Sequence, residues 1–526
     1  MSLQRYSAAA LLRAACNGGT QWRPLWQCRD PAPGYDVVVV GAGGHGLATA
    51  YHLARDHGIK RIAVLEKRLL GYGNVGRNTT IVRSNYLLPE NHYFYEDSLR
   101  RWEGLSRELN FNVMYSPRGV LDLATSDDEM TVYARRGNAM RQSGIDAVLL
   151  DRAGVARFAP ALDVNIPRRF PVVGGLLQPR GGTVRHDAVA WGYARAASSL
   201  GVDIIEDCAV TGVSTAAGRA TGVETSRGPV RADRIVFAVA GHTGAIGTML
   251  GQRLPIETHL LQAMVTEPIK PLLNTVLIYV YGHAEIYISQ SDRGGLVMGG
   301  ALDGFPSYTR EGQWSRLEEV VQSAVALLPQ IGSLKLLRQW AGTNDMTMDG
   351  SPLLDRLGWD NVFVNGGWCY GGFKGIPASG AAFATFVATG GGPARATYFF
   401  ALHLYTMSFS SFDMGYGSAL AWSGLDAVEF TMTLGERSIS SLRFPLWIYY
   451  ACVPAGAILM ALRYARRLVR LFGAEGRSMS VELLFDASLK VNALDLLKRQ
   501  SLARPVFAAW PGEWRNGRLT YAVLGN

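Results

Sequence analysis

The segment from Tyr35 to Lys67 constrains the fold of this chain more than any other part of the sequence. It reads as an apolar strand (YDVVVV), a glycine turn (GAGGHG), a helix, and a second strand (RIAVLEK) that ends in an acid. Gly41 permits the tight turn, Gly43 lets backbone N–H groups approach a diphosphate, and Gly46 lets the helix pack closely on the sheet. This unit therefore predicts a dinucleotide-binding site.

Glu66 ends the second strand about twenty residues past the last glycine, where a carboxylate can accept both ribose hydroxyls and repel a 2′-phosphate. The glycines taken alone also suit an ordinary glycine-rich turn. The complete pattern favours dinucleotide binding, because strand, turn, helix, strand and acid follow in register. The predicted contacts from this unit are Gly41, Ala42, Gly43, Gly44, His45, Gly46, Glu66 and Lys67.

Two later strands also end in glycine. Residues 232–244 (ADRIVFAVAGHTG) reach Gly241, and residues 361–375 (NVFVNGGWCYGGFKG) precede a predicted helix from Pro377 to Val387. Loops that recur so far apart suit one long cofactor, FAD, better than NAD, and the last loop would aim a helix N-terminus at the flavin or its phosphates. Each segment alone also suits a plain α/β core strand.

Five segments carry a family resemblance: GRNTTIVRSNY from Gly76, RGGTVRHDAVAWGYARAA from Arg180, LPIETHLLQAMVTEP from Leu254, QWAGTNDMTMDGSPLLDR from Gln339 and GGWCYGGFKGIPASG from Gly366. Over residues 1 to about 390 the chain resembles the β subunit of heterotetrameric sarcosine oxidase, a D-amino-acid-oxidase-like flavoprotein. The resemblance implies oxidation of sarcosine (N-methylglycine) with noncovalent FAD. The predicted cofactor contacts then also include Asn78, Thr79, Thr80, Val210, Gly371, Gly372, Phe373 and Lys374.

The resemblance further implies a second flavin, an FMN joined covalently to the histidine that matches His186. An imidazole nitrogen can attack the 8-methyl position of a flavin quinone methide. Without the resemblance, His186 reads as a helix N-terminal residue beside a capping acid, Asp187.

Substrate binding follows from charge. A pocket for sarcosine must pair the carboxylate with cations and leave the amine free to lose its proton. In related single-chain oxidases such a clamp matches Arg83 and Lys374 here, and both stand among uncharged residues. A structural salt bridge is the alternative for each. His259 is a candidate polar group near the flavin ring, or else a core histidine with its hydrogen bonds satisfied.

The resemblance implies hydride transfer from the N-methyl carbon, giving an iminium, with electrons passing from FAD to FMN and on to dioxygen. The iminium is hydrolysed to formaldehyde and glycine or captured by tetrahydrofolate on a partner subunit. The segment GGLVMGG (Gly294 to Gly300) lacks the lysine and histidine that the single-chain oxidases carry near the flavin.

The predicted fold class is α/β: a Rossmann-like FAD-binding domain with a discontinuous α+β substrate domain and a C-terminal helical appendage. Alternating helix and strand patterns between the nucleotide-binding strands predict an antiparallel sheet over the flavin. The predicted bounds are 1–30 for an N-terminal docking arm, 31–88, 181–253 and 340–392 for the FAD-binding domain, 89–180 and 254–339 for the substrate domain, 393–472 for membrane helices, and 473–526 for a poorly ordered tail.

Composition agrees with a large cytoplasmic flavoprotein. The 526 residues, 48% of them hydrophobic, suffice for two or more domains. The net charge of +9 fits anionic cofactors and an acidic partner surface, since no basic run interleaved with aromatics indicates nucleic acid. The five cysteines lack C-x-x-C pairing, so neither a metal site nor a disulfide framework is predicted.

The chain changes character after residue 390. Phe444 to Leu462 contains no charge and is followed by four arginines, Arg463, Arg466, Arg467 and Arg470, which predicts a membrane span with a cytoplasmic C-terminal flank. Ala396 to Leu425 could supply a second span. Residues 417–472 resemble part of the small membrane subunit of TRAP-type transporters. A buried amphipathic helix and a joining of two reading frames are the alternatives.

Two other functions suit the same sequence. An enzyme acting on another N-methyl or imino acid, such as dimethylglycine or an opine, would share every cofactor motif. A catalytically inactive, membrane-associated assembly protein would keep the fold without the chemistry.

Overall fold

A computed structural model describes residues 7–18, 24–87, 89–167, 169–281, 284–348 and 350–390, with two short pieces at 514–515 and 518–519. The predicted membrane helices at 393–472 lie outside the described residues, as does nearly all of the predicted tail at 473–526.

The described residues form nine α-helices of seven to twenty residues. Their bounds are α1 Ala8–Cys16, α2 Gly44–Arg55, α3 Pro89–Glu108, α4 Asp127–Gln142, α5 Arg152–Phe158, α6 His186–Ser199, α7 Thr243–Met249, α8 Trp314–Leu327 and α9 Gly372–Thr389. Short 3₁₀ turns occur at Val75–Arg77, Ala240–His242 and Pro329–Ile331.

The described strands belong to two large sheets, each supplied by separate blocks of chain, and to two small two-stranded sheets. Their bounds are β1 Gly34–Val40, β2 Ile62–Leu65, β3 Ile81–Val82, β4 Val120–Ala124, β5 Val148–Asp151, β6 Gly174–Gln178, β7 Gly182–Thr183, β8 Asp203–Ile205, β9 Val210–Ala216, β10 Arg219–Thr225, β11 Val230–Phe237, β12 Ile256–Pro268, β13 Val276–Tyr281, β14 Ala284–Gln290, β15 Gly295–Pro306, β16 Leu336–Thr347, β17 Leu353–Leu357, β18 Trp359–Gly366, β19 Trp514–Arg515 and β20 Arg518–Leu519.

The first large sheet has the order β17-β18-β11-β1-β2-β8, with β10 and β9 joined to β11. Its central strands β18, β11, β1, β2 and β8 are parallel. All four valines of β1 are buried, as expected for a parallel strand covered on both faces. Helices α2, α6 and α9 pack on one face in a single core that includes Leu47, Tyr193 and Phe383. The predicted α/β class is therefore confirmed.

The second large sheet has the order β16-β12-β15-β14-β13-β4-β6-β5 and is antiparallel except at the β13–β4 pair. Two separate blocks of chain, residues 120–178 and 256–347, supply its strands. Helix α8 packs on it through Val320, Ala324 and Leu327, which share a core with Met264 and Met298. The domain bounds given above remain a prediction.

Helix α9 begins earlier than the sequence pattern predicts. It begins at Gly372 rather than at Pro377, and Pro377 lies inside it. A proline there removes one N–H from the helical hydrogen-bond ladder without ending the helix. Lys374 consequently lies in the first turn of a helix, not in the loop before it.

Candidate active site

One cavity of about 1070 Å³ collects residues from both large sheets. This volume is slightly larger than the roughly 300–1,000 Å³ of typical small-molecule sites, so the cavity has room for a dinucleotide. The cavity wall includes these residues of the predicted site: Gly41, Gly43, Gly44, His45, Glu66, Lys67, Asn78, Thr79, Arg83, Val210, Gly372, Phe373 and Lys374.

The glycine turn between β1 and α2 owes its shape to steric limits. Gly41 has φ of 106°, and a Cβ there would lie 2.5 Å from the Ala238 carbonyl oxygen. A Cβ at Gly46 would overlap the Gly41 carbonyl oxygen. Gly43, by contrast, has open space where its Cβ would stand, on the cavity wall at the start of α2. The turn thus leaves room for a ligand at Gly43, next to the N–H groups of the helix.

Glu66 lines the cavity at the end of β2. One carboxylate oxygen accepts from the Ala42 N–H at 3.0 Å and the other from the Arg68 N–H at 3.1 Å. Burial raises the pKa of Glu66, and these two N–H groups oppose that shift. Each oxygen keeps a second lone pair, so the carboxylate can still accept ligand hydroxyl groups.

Four of the predicted contacts stand behind the cavity wall. Ala42 bonds Glu66, and Gly46 packs against Gly41. The carbonyl oxygen of Gly241 accepts the Thr258 hydroxyl at 2.5 Å. Gly371 precedes α9, and its N–H donates to the Trp368 carbonyl at 2.8 Å.

Thr80 also stands behind the wall, in a left-handed conformation with φ of 71°. Its N–H donates to Asn78 Oδ1 at 2.6 Å, and its carbonyl accepts the Val184 N–H at 3.1 Å. These bonds hold a backbone conformation that a β-branched residue rarely adopts.

Arg83 and Lys374 line the same cavity although 291 residues separate them in the sequence. Arg83 donates to Asn85 Oδ1 at 2.7 Å, and Lys374 Nζ donates to the Tyr370 carbonyl at 3.1 Å. The Arg83 guanidinium and Lys374 Nζ lie 5.6 and 5.7 Å from the centre of the Tyr86 ring. Within the described ranges neither cation forms an ion pair, so the pair can accept an anion.

Burial dominates the electrostatics of this pair. It lowers the pKa of Lys374 well below its usual range, and repulsion from Arg83 adds to the shift. For Arg83, burial also lowers the pKa, but the phenol of Tyr86 and the carboxylates of Asp122 and Glu285 together raise it. Arg83 is therefore a fixed cation, whereas a neighbouring anion would stabilise the ammonium form of Lys374.

His259 lies away from the cavity wall. Its Nδ1 is 2.9 Å from the Asp303 carbonyl oxygen, and its Nε2 is 3.2 Å from a Glu257 carboxylate oxygen. Only 4% of the residue is exposed. This geometry matches the alternative of a satisfied core histidine rather than a group beside the flavin ring.

His186 also lies outside the cavity lining, at the first residue of α6. Burial lowers its pKa, which favours the neutral imidazole. Asp187 pairs with Arg185 at 2.9 Å and accepts the Ala188 N–H at 2.8 Å. The acid thus occupies the first helical turn, and the His186 ring makes no hydrogen bond with other described residues.

Sequence reasoning missed several residues in the cavity wall or behind it. Asp345 is fully buried, accepts the Gly367 N–H at 2.5 Å, and has its pKa raised to about 6 by burial. Trp368 stacks on His45 with ring centres 4.5 Å apart. Tyr86 stacks on Tyr95 at 4.3 Å, behind the two cations. No local signal distinguishes Asp345, because it stands beside the polar Asn344 in the last part of β16.

Described residues hold no cluster of three or more histidine, cysteine or acidic side chains placed to bind a metal.

The sequence model of the family described as FAD dependent oxidoreductase matches residues 36–385, a range that contains both large sheets and the cavity. The chain belongs to the FAD-dependent oxidoreductase family. This oxidoreductase is 52% identical over 414 residues to the sarcosine oxidase subunit beta of Rhizobium meliloti (strain 1021), which covers 79% of the chain and 99% of the relative. It is 48% identical over 403 residues to that of Rhodobacter capsulatus, which covers 77% and 96%. The resemblance to sarcosine oxidase β subunits is confirmed.

Solved structures show the same fold. L-proline dehydrogenase from P. horikoshii superposes with a TM-score of 0.63 at 27% identity and covers 68% of this oxidoreductase and 94% of that chain. Glycine oxidase from Geobacillus kaustophilus gives a TM-score of 0.61 at 21% identity, covering 68% and 95%, a likeness of fold.

A second sequence model, described as the DctQ component of tripartite ATP-independent periplasmic transporters, matches residues 390–474. Of these the structure describes residue 390 alone. In the part of the chain with described helices, none is both long and apolar enough to cross a membrane.

Proposed function

We propose that this oxidoreductase is the β-like subunit of a sarcosine oxidase and oxidises the secondary amine sarcosine. The observation that carries the proposal is the shared cavity, in which Arg83 and Lys374 lie on the same wall as the glycine turn. The relatives named sarcosine oxidase subunit beta support it, because one of them aligns over 99% of its length at 52% identity.

The cavity wall fits FAD. Gly43 leaves open space beside the first N–H groups of α2, where a diphosphate is stabilised, and Glu66 can accept ribose hydroxyls. The N-terminal turn of α9, from Gly372, also lines the cavity and favours negative charge nearby. FAD held there noncovalently would supply the two-electron acceptor.

Arg83 and Lys374 would bind the sarcosine carboxylate. The Arg83 guanidinium offers a planar fork for a carboxylate, and Lys374 offers a single point charge. Since burial favours the neutral amine of Lys374, an incoming carboxylate stabilises its ammonium form. Binding at this end leaves the substrate amine and N-methyl group facing the rest of the cavity.

The oxidation removes two electrons and two protons from sarcosine. Sarcosine loses its amine proton and a hydride from the N-methyl carbon, which leaves an iminium, CH₂=NH⁺–CH₂–COO⁻. Addition of water cleaves the iminium into formaldehyde and glycine, or tetrahydrofolate on a partner subunit captures the one-carbon unit. The two electrons and two protons reduce dioxygen to hydrogen peroxide.

Anaerobic titration with sarcosine tests this function. The flavin absorbance of the purified protein should bleach with sarcosine, and peroxide should form once air is admitted. L-Proline, dimethylglycine and an opine are the comparison substrates. A flavin that sarcosine leaves oxidised while another amine bleaches it would contradict the sarcosine assignment. A protein that stays colourless with both flavins would favour the inactive assembly role.

A second substrate has one observation in its favour. The solved L-proline dehydrogenase shares 27% identity with this oxidoreductase, and proline, like sarcosine, is a secondary amine with a carboxylate. The same cation pair could hold it. A higher kcat/KM for proline than for sarcosine would select this candidate.

The same proposal includes a covalent FMN on His186. Its partly buried, neutral imidazole offers a free ring nitrogen, and it stands apart from the FAD cavity, so a second flavin would not compete for that space. Mass spectrometry of the peptide containing His186 should find an added FMN mass, absent from His186→Ala. An unmodified peptide in protein that holds flavin would contradict this part.

Residues 393–472 are proposed to anchor the enzyme to the membrane, with the flavin domains and the arginine-rich flank on the cytoplasmic side. The match to the DctQ component supports this. The full chain should sediment with membranes and resist a salt wash, whereas a chain ending at residue 392 should not. Equal partitioning of both chains would contradict an anchor.

A further inference from the structure

One rim of the cavity, beside Glu66, is crowded with cations. We call Lys67, Tyr72, Arg77, His242 and Arg310 the basic rim; all five line the cavity. The guanidinium groups of Arg77 and Arg310 lie 4.8 and 5.2 Å from the centre of the Tyr72 ring. Lys67 Nζ donates to His242 Nε2 at 3.0 Å.

The Glu66 carboxylate opposes the lowering of the Lys67 pKa, so the protein offsets only part of the positive charge of the basic rim. Among the described residues, Lys67, Arg77 and Arg310 form no ion pair, and both Glu66 oxygens accept backbone N–H groups. Arg77 donates instead to the carbonyls of Tyr72 and Gly73. Like charges this close destabilise one another unless an anion joins them.

The pKa shifts of the titratable groups also indicate repulsion among the cations of the basic rim. Burial and then repulsion from Arg310 lower the pKa of Lys67 and of Arg77. Burial, Lys67 and Arg310 lower the pKa of His242 to about 4, so its neutral Nε2 can accept a hydrogen bond from Lys67. Arg310 is the cation common to all three.

Arg310 comes from a different part of the fold than its partners. It stands between β15 and α8, on the side of the second sheet, whereas Lys67, Tyr72 and Arg77 follow β2 of the first sheet. Its stacking on Tyr72 therefore bridges the two halves of the cavity wall. An anion held there would contact both halves.

We propose that Arg310, with Tyr72 as its platform, is a clamp that binds the diphosphate of the bound dinucleotide. This inference rests on the proposed FAD site. The diphosphate is the anionic part of FAD, and a glycine turn holds it at the N-terminus of the following helix, within the same cavity. Arginine suits the role because its planar fork matches phosphate oxygens and its face stacks on an aromatic ring.

The test measures nucleotide binding by the full-length chain depleted of FAD. Arg310→Gln keeps the stem and removes the charge, and Arg310→Lys keeps the charge. Arg169→Gln is the matched control, because that arginine also lies over an aromatic ring, at 5.5 Å from the centre of Phe170, but does not line the cavity. The ligands are FAD, ADP and adenosine, titrated at low and high salt.

We expect Arg310→Gln to weaken FAD and ADP about tenfold or more, as loss of a charged contact to phosphate should, and to leave adenosine within about twofold. Arg310→Lys should retain most ADP affinity, and Arg169→Gln should match the wild type. The salt dependence of ADP binding should be shallower in Arg310→Gln. ADP should slow hydrogen exchange of residues 305–313 in the wild type only.

Equal ADP affinity in Arg310→Gln and wild type would overturn the clamp. So would an equal loss for adenosine and ADP, because the effect would then not depend on phosphate charge. None of these readouts involves sarcosine. Failure of the clamp and failure of the sarcosine assignment can therefore be told apart.

Discussion

The glycine turn and the cation pair line the same cavity but are held in place by different interactions. Gly41 and Gly46 are fixed by backbone contacts, since any Cβ there would strike a carbonyl oxygen. Arg83 and Lys374 are held by single hydrogen bonds and by the Tyr86 ring. The glycine turn is therefore inseparable from the fold, whereas the side chains of the cation pair can be altered with the fold intact.

The largest expected effect comes from Gly46→Ala, which should destroy the turn. The new Cβ overlaps the backbone of Gly41, so we expect a loss of about 3 kcal/mol or more in stability and no retained FAD. Gly43→Ala is the matched control, because its Cβ meets open space. The free energy of unfolding of FAD-free Gly43→Ala should be within about 1 kcal/mol of the wild-type value, while FAD binds to the variant more weakly. Urea unfolding measures the stability of each variant, and FAD titration measures its affinity for FAD. Retention of FAD by Gly46→Ala would contradict this expectation.

Lys374→Met should leave the fold intact and impair the oxidation of sarcosine. Losing a charged contact to the carboxylate should lower kcat/KM for sarcosine by about 100-fold. An exposed lysine outside the cavity, Lys335, supplies the control Lys335→Met, which should leave kcat/KM unchanged.

The same variant has a pH signature. The folded pKa of Lys374 lies below its unfolded value of 10.5, so unfolding takes up a proton between the two, and the wild type gains stability as pH rises toward 10.5. Lys374→Met should flatten that rise in urea unfolding curves. An unchanged slope would mean that the buried amine is charged in the free protein.

Asp345→Asn probes the segment that joins the two parts of the wall. The folded pKa is about 6 against 3.8 unfolded, so the folded state holds its proton longer and the wild type loses stability as pH rises from 4 to 6. The loss amounts to about 3 kcal/mol, and the variant should avoid it because its amide oxygen can still accept the Gly367 N–H. Parallel pH profiles for both proteins would contradict this account.

Thr80→Asn should have the smallest effect. Asparagine tolerates φ near 71° better than a β-branched residue does, so the free energy of unfolding should rise by under about 1 kcal/mol. Thermal unfolding of the FAD-free chain would show it. A destabilised variant would indicate that the threonine side chain matters more than its backbone strain.

The sequence predicted the parts of the fold that depend on local order. The glycine turn, β1, α2 and β2 follow one another, and their spacing alone placed Glu66 on the cavity wall. The sequence pattern predicts a helix start at Pro377, five residues after the observed start of α9 at Gly372. Proline statistics favour the first turn but do not require it.

His259 shows why the rest could not be predicted. Strand β12 contains register shifts between His259 and Leu261 and between Leu261 and Gln262 in its pairing with β15. Each shift changes which residues face the cavity, and nothing in the alternation of polar and apolar residues reveals it. Asp345, Tyr86 and Arg310 were missed for a related reason, since their partners lie far away in the sequence.

The parallel sheet has a consequence for synthesis of the protein. Strand β1 pairs with β11, and β11 pairs with β18. The sheet that contains β1, which ends at residue 40, is therefore incomplete until residues from 362 onward have been synthesised. Pairings so distant form slowly and leave apolar edges exposed to other nascent chains. This topology leads us to expect that the protein depends on chaperones during translation.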